Sequence, residues 1–307
     1  MNGFGPDTTT DDVIAGVDLG GRTALVTGVT SGLGGETARA LAASGAAVIL
    51  AARDGAAAAG VADRIRAQVP GADLSSVALD LADLSNIRVA VAQIGARPID
   101  LLINNAGVMY TPFARTADGF ELQFGTNHLG HFLLTTSVLP NLRSAAERSG
   151  TASRVVTVSS DAHHAHAVDL ADPNFLQRPY DKFVAYAQSK AANVLMTVEL
   201  RNRHDDSEIQ AFAVHPGVCA TGLSRHMSRD DFAEMKRMSA GKPGLLTNLK
   251  SIPAAAATSV WAATAADLST TSGVYLADCA VGRASDHAVD AGTAAALWEL
   301  SETLVGR

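Results

Sequence analysis

Thr27-Gly28-Val29-Thr30-Ser31-Gly32-Leu33-Gly34 follows the apolar run Thr23-Ala24-Leu25-Val26 and leads into the Ala-rich stretch 35–43. A glycine-rich turn between a buried strand and a helix lets backbone N–H groups approach a pyrophosphate while the helix N-terminus faces the negative charge. Alone, such a pattern reads as an ordinary turn; the strand, loop and helix order makes it a dinucleotide cradle. The spacing departs from GxGxxG, since three residues separate Gly28 from Gly32 and Gly34 lies two further on.

Outward from that loop, short β-branched or Leu-rich runs alternate with longer helical segments. The runs are 23–27, 47–51, 77–79, 100–104, 154–158, 209–214 and a late one near 273–276; the helices fit at 35–43, 56–68, 84–94, 120–139, 183–202 and 253–265, with Pro253 at a first helical position. Ala24-Leu25-Val26 and Leu101-Leu102-Ile103 are continuous and apolar, as strands buried on both faces are. The rhythm predicts an α/β fold: one Rossmann-type domain over 21–307, with a doubly wound parallel sheet of about seven strands flanked by helices, after an N-terminal extension at 1–20. Residues 222–251 mix Met, Lys, Arg, Gly and Pro after a strand end and read either as a substrate lid or as a surface insertion without a role. Only short segments are expected after the last strand.

A net charge of −7 leaves no basic surplus for nucleic acid or an anionic membrane. The apolar runs 40–52 and 254–266 fall short of the ~20 residues a membrane span needs. The acidic, Thr-rich stretch 1–12 lacks the pattern of a secretion signal, so a cytoplasmic protein is expected. Cys219 and Cys279, far apart and outside any ligand spacing, fit a reducing compartment and give no support for zinc. No metal is expected. His163, His164 and His166 lack acidic or cysteine companions and read as loop or pocket-rim residues; His128 and His131 read as packed or supporting groups.

The second strand ends Leu50-Ala51-Ala52-Arg53, where an NAD-selective site offers a carboxylate to the ribose. Ala52 removes that carboxylate and Arg53 adds a cation suited to a 2′-phosphate, so NADP(H) is expected over NAD(H). The competing reading has Arg53 solvated and Asp54 on the ribose. Asp80 and Leu81 follow the third strand near the adenine position, and Asn104-Asn105-Ala106-Gly107 follows the fourth. Tyr186 and Lys190 stand one helical turn apart, so a phenol and an ammonium share a helix face, and the ammonium is expected to make the phenol a better acid–base catalyst. Phe113, Phe175, Phe183, Met227, Phe232 and Met238 are candidates for an apolar pocket, with core packing as the default for each.

With TGxxxGxG, NNAG, Ser160 and YxxxK in this order over 23–276, the chain resembles the short-chain dehydrogenase/reductase family. Asn105-Ala106-Gly107-Val108-Met109, Thr116 to Glu121, Asn127-His128-Leu129-Gly130-His131-Phe132 and Val214-His215-Pro216-Gly217-Val218 are similar to its retinol-dehydrogenase and WW-domain oxidoreductase branch. The resemblance implies Tyr186 as general acid/base, Lys190 lowering its pKa and binding the nicotinamide ribose, Ser160 holding the substrate oxygen, and Asn127 supporting a water chain through Lys190. It implies cofactor contacts from Gly28, Thr30, Ser31, Gly32, Leu33, Gly34, Arg53, Asp80, Leu81, Asn105, Ala106, Gly107, Tyr186 and Lys190, and from Pro216, Gly217, Val218 and Thr221 on the nicotinamide side. Ser160 precedes Tyr186 by more residues than is usual in the family, which points to the same branch; Ser159 is adjacent, and strand alternation turns the two serines to opposite sides. Ser31 stands where a basic residue often supports NADP.

The implied activity is hydride transfer between NADP(H) and an apolar alcohol, ketone or aldehyde, in a possible homodimer or homotetramer. The alternative is an NADP(H)-sensing binding protein on the same fold. An epimerase or dehydratase of the extended branch fits less well, because it carries a different glycine spacing and a larger C-terminal domain.

Overall fold

A computed structural model describes residues 3–30, 32–238, 249–270 and 274–306. The strands are β1 Thr23–Thr27, β2 Ala47–Ala52, β3 Leu74–Ala78, β4 Leu101–Asn104, β5 Ser153–Val158, β6 Ile209–His215, β7 Tyr275–Ala277 and β8 Ala280–Val281. The helices are α1 Thr10–Ile14, α2 Gly32–Ala43, α3 Gly55–Gln68, α4 Leu84–Ile94, α5 Leu122–Phe124, α6 Gly130–Ser137, α7 Leu139–Ser149, α8 Lys182–Arg203, α9 Arg229–Met238, α10 Ile252–Thr264, α11 Asp286–Val289 and α12 Ala291–Val305. They flank one sheet of order β3-β2-β1-β4-β5-β6-β7-β8, parallel as far as β7.

Strand alternation splits the core in two. Leu25 and Leu102 face α4, α6, α8 and α12, while Ala24, Val26 and Ile103 face α2, α3 and α10. The chain order reverses between β1 and β4, which opens a crevice at their C-terminal ends.

The sheet has eight strands rather than seven. β8 returns antiparallel to β7 through Asp278 and Cys279, both left-handed (φ 52° and 54°). Two such residues make the tight hairpin that Asn-Gly or Asp-Gly usually marks, so Asp-Cys hid it. The helix expected over 120–139 is broken up. After α5 comes a π turn, Gly125–Leu129, then α6, a bend at Val138, and α7 with Pro140 in its first turn. Residues 125–136 are all buried, so hydrophobic periodicity carried no trace of the wider turn. Pro253 takes the second position of α10, which Ser251 caps.

The chain after β7 is longer than expected: α12 packs on α8, with Trp298 edge-on to Phe132 at 4.8 Å. Within 1–20, α1 carries a Thr9/Asp12 capping box, buries Val13 against α2 and α10, and is tied to α2 by the Arg39–Asp11 ion pair and by the Thr10 hydroxyl, which donates to Glu36. Part of 222–251 is regular: a 3₁₀ turn at Gly222–His226 and then α9; residues 239–248 and Gly273 lie outside the described residues.

Candidate active site

The crevice is a cleft of about 1180 Å³. At one end Gly28 is left-handed (φ +71°), and a Cβ there would lie 2.7 Å from the Ala106 Cα. Asn105 holds the loop from the β4 side: its Nδ2 donates to the Thr27 carbonyl (2.8 Å), and the N–H groups of Asn105 and Ala106 donate to Thr27 Oγ1 (2.9 and 3.0 Å). Gly32 opens α2, is also left-handed (φ +60°) and faces the Thr221 side chain. Gly34 does not line the cleft. A Cβ on it would sit 2.5 Å from the Gly28 carbonyl oxygen, so its role is to let the helix lie against the loop.

Thr30, Leu33, Asp80, Leu81, Asn105, Gly107, Pro216, Gly217, Val218 and Thr221 all line the cleft with Gly28, Gly32 and Ala106; Ser31 lies outside the described residues. Arg53 lines it too, exposed and without an ion pair among the described residues. Asp54 is not in the lining. Its Oδ1 accepts from the N–H groups of Ala56 and Ala57 (2.9 and 3.2 Å), capping α3.

Tyr186 and Lys190 come from α8, which Asp181 caps, and both are almost fully buried at the cleft floor. The Lys190 ammonium donates to the Val158 carbonyl (2.9 Å) and lies 5.8 Å from the Tyr186 ring centre. Burial pushes that ammonium down to about 8. Burial drives the Tyr186 phenol above its usual value, the neighbouring Tyr110 adds to this, and a hydrogen bond with Ser160 opposes it. Burial is the largest of these influences on the phenol.

The two adjacent serines diverge. The Ser159 hydroxyl donates to the Lys190 carbonyl (2.8 Å), anchoring α8 to the end of β5, whereas Ser160 Oγ accepts from the Ala162 N–H (3.2 Å) and meets Tyr186. Asn127 stands one layer behind the cleft in the π turn. Its side chain accepts from the Val108 N–H (2.8 Å) and donates to the Val108 carbonyl and Ser189 Oγ (2.9 and 3.0 Å). Asn127 Oδ1 and Lys190 Nζ converge on Gly107, 3.1 and 3.7 Å from where its Cβ would stand.

The buried His131 ties this layer to the glycine loop. Its Nδ1 meets the Asn127 carbonyl (3.0 Å), which only accepts, so Nδ1 carries the proton and Nε2 accepts the Thr27 hydroxyl (2.9 Å). Burial pushes His131 down to about 4 and His128 to about 3. Both bind protons more readily unfolded, near pH 6.5, than folded, so stability is expected to fall by a few kcal/mol as pH drops from about 6.5 to about 4. Urea midpoints measured across that window check this, and His131→Gln is expected to flatten the slope.

His163 is buried, not a rim residue. Its Nδ1 donates to the Ser160 carbonyl (2.7 Å), its Nε2 accepts the Ser285 N–H (3.1 Å), and His287 Nε2 donates to its carbonyl (2.9 Å). The C-terminal region supplies these partners, so local sequence could not show them. His164 lines the cleft and His166 is exposed. Among the described residues no group of His, Cys, Asp and Glu could hold a metal, and no helix is long and apolar enough to cross a membrane.

Phe183, Met227 and Phe232 line the other end, joined by Met109, Tyr110, Leu122, Leu223, Met235 and Leu249, which the sequence reading did not single out. Phe113 and Phe175 instead pack around Tyr180, and the Met238 side chain lies outside the described part.

A model of the short chain dehydrogenase family matches residues 22–231. The chain is 39% identical over 310 residues to the short-chain dehydrogenase TIC 32 A, chloroplastic, of Brassica napus, covering 99% of this chain and 95% of that protein. It is 40% identical over 288 residues to human retinol dehydrogenase 13, covering 93% and 85%. Among solved structures, the RhlG/NADP active-site complex of Pseudomonas aeruginosa superposes with a TM-score of 0.62 at 26% identity, covering 85% of this chain and 94% of that one.

Proposed function

This chain belongs to the short-chain dehydrogenase family, a family of oxidoreductases, and we propose that it transfers hydride between NADP(H) and an apolar alcohol/carbonyl pair, with Tyr186 as general acid/base. The observation that carries the proposal is the convergence of Tyr186, Ser160 and Lys190 in the cleft that the glycine loop opens. The residues fit a dinucleotide: Gly28 has no room for a Cβ, α2 begins at Gly32, and Arg53, without an ion pair among the described residues, is a cation just past the end of β2. Bound nicotinamide would supply or accept the hydride. Ser160 and Tyr186 would donate hydrogen bonds to the substrate oxygen where charge develops, and Tyr186 would pass its proton to it. Lys190, anchored on Val158, holds positive charge beside that phenol below pH of about 8.

Arg53 would select the 2′-phosphate. Arg53→Ala is expected to weaken NADPH binding by roughly 10- to 100-fold while leaving NADH binding within about twofold, read by calorimetric titration. Equal losses for both cofactors would remove Arg53 from specificity, and no binding of either would remove the enzyme reading. A non-catalytic sensor has no observation of its own in its favour. Cytoplasmic location and a homodimer or homotetramer remain part of the proposal, to be checked by cell fractionation and by light scattering.

A further inference from the structure

Tyr110 is a buried, cleft-lining residue with a left-handed backbone (φ +52°), a conformation that a bulky side chain adopts only when its surroundings enforce it. The enforcing group is Gln123. Its Oε1 accepts the Tyr110 N–H (2.8 Å), and its Nε2 donates to the Lys182 carbonyl and the Tyr180 hydroxyl (both 2.9 Å). Lys182 is the first residue of α8, so one buried amide ties the backbone of Tyr110 to the start of the helix that carries Tyr186. The Tyr110 ring packs on Phe183 with centres 4.4 Å apart and stands edge-on to Tyr186 at 5.1 Å and 73°. Edge-to-face contact is the favoured geometry for two rings and fixes the plane of each against the other. Glycine or asparagine would take this backbone more easily, yet the position holds the ring that abuts Tyr186.

We propose that Tyr110 is a positioning residue for Tyr186: braced by Gln123 and Phe183, its ring holds the Tyr186 ring in the one plane that keeps the phenol hydroxyl on Ser160. The inference rests on the acid–base reading of Tyr186. It makes Tyr110 a determinant of turnover rather than of cofactor binding.

The test uses the full chain bound to NADPH, with tyrosines labelled with carbon-13 at Cζ, the Tyr186 signal being the one lost in Tyr186→Phe. Tyr110→Gly removes the ring together with the backbone strain, Tyr110→Leu keeps bulk without a flat ring, and Tyr110→Phe keeps the ring. In the Gly and Leu variants the Tyr186 signal is expected to shift and broaden. Turnover of the probe para-nitrobenzaldehyde is expected to fall by roughly tenfold or more, with NADPH affinity unchanged and Tyr110→Phe behaving as the parent. If Tyr110→Gly does not fold, Tyr110→Leu decides; if the probe is not turned over, the signal decides. An unmoved Tyr186 signal in the ring-less variants, or full turnover despite a moved one, overturns the role of Tyr110. Undiminished turnover by Tyr186→Phe would instead remove the acid–base reading on which it rests.

Discussion

Tyr186→Phe is expected to lower kcat for carbonyl reduction by roughly 10²- to 10⁴-fold while NADPH still binds. The substitution keeps the ring in its contacts with Tyr110 and over Lys190 and deletes only the hydroxyl that meets Ser160. In the proposed reaction this removes the proton donor to the forming alkoxide and one of two hydrogen bonds to its oxygen. Because burial holds the phenol above its usual value, Tyr186 stays protonated through neutral pH, the form that reduction needs. Alcohol oxidation needs the phenolate, so its kcat should climb with pH where that of reduction stays level. Steady-state rates in both directions, with NADPH affinity measured in parallel, check this; a Phe variant as fast as the parent would move the chemistry to another group.

Gly28→Val is the second large effect, with NADPH binding expected to weaken at least roughly 100-fold and the fold to lose about 2–4 kcal/mol. Two costs coincide. The backbone at φ +71° disfavours any side chain, and the Cβ would meet Ala106, which Thr27 Oγ1 and Asn105 hold in place, so the loop has no direction of retreat. Gly71→Val is the control: at φ +83° with nothing within 4 Å, it carries the backbone cost without the collision and lies outside the cleft, so it should lower stability but leave NADPH binding intact. Calorimetry and urea unfolding on both variants separate the two. A Gly28→Val protein that binds NADPH as the parent does would show that this loop is not the cradle.

Much of the cleft was legible in the chain because its parts are local. A strand, a tight turn and a helix N-terminus follow one another within 23–43, and Tyr186 and Lys190 share a helix face by spacing alone. Arg53 was legible for the same reason, since strand ends on one side of a parallel sheet all open on the crevice. The hairpin at Asp278-Cys279 was not, because its residues are unusual for a tight hairpin turn. The π turn around Asn127 was hidden by uniform burial, and α9 by its polar character.

The sequence by itself determined the α/β class, the crevice end of the sheet and the residues that floor it, because periodicity and turn chemistry act over a few positions. Only the tertiary structure decided that Ser159 anchors α8 through the Lys190 carbonyl, that Asp54 caps a helix, that His163 joins the Ser160 loop to Ser285 before α11, and that Tyr110 stands edge-on to Tyr186. Each of those depends on the direction of a side chain toward groups distant in the chain, or on competition between a cap and a ligand for one carboxylate. Spacing along a sequence does not encode such directions; packing sets them once the layers have closed.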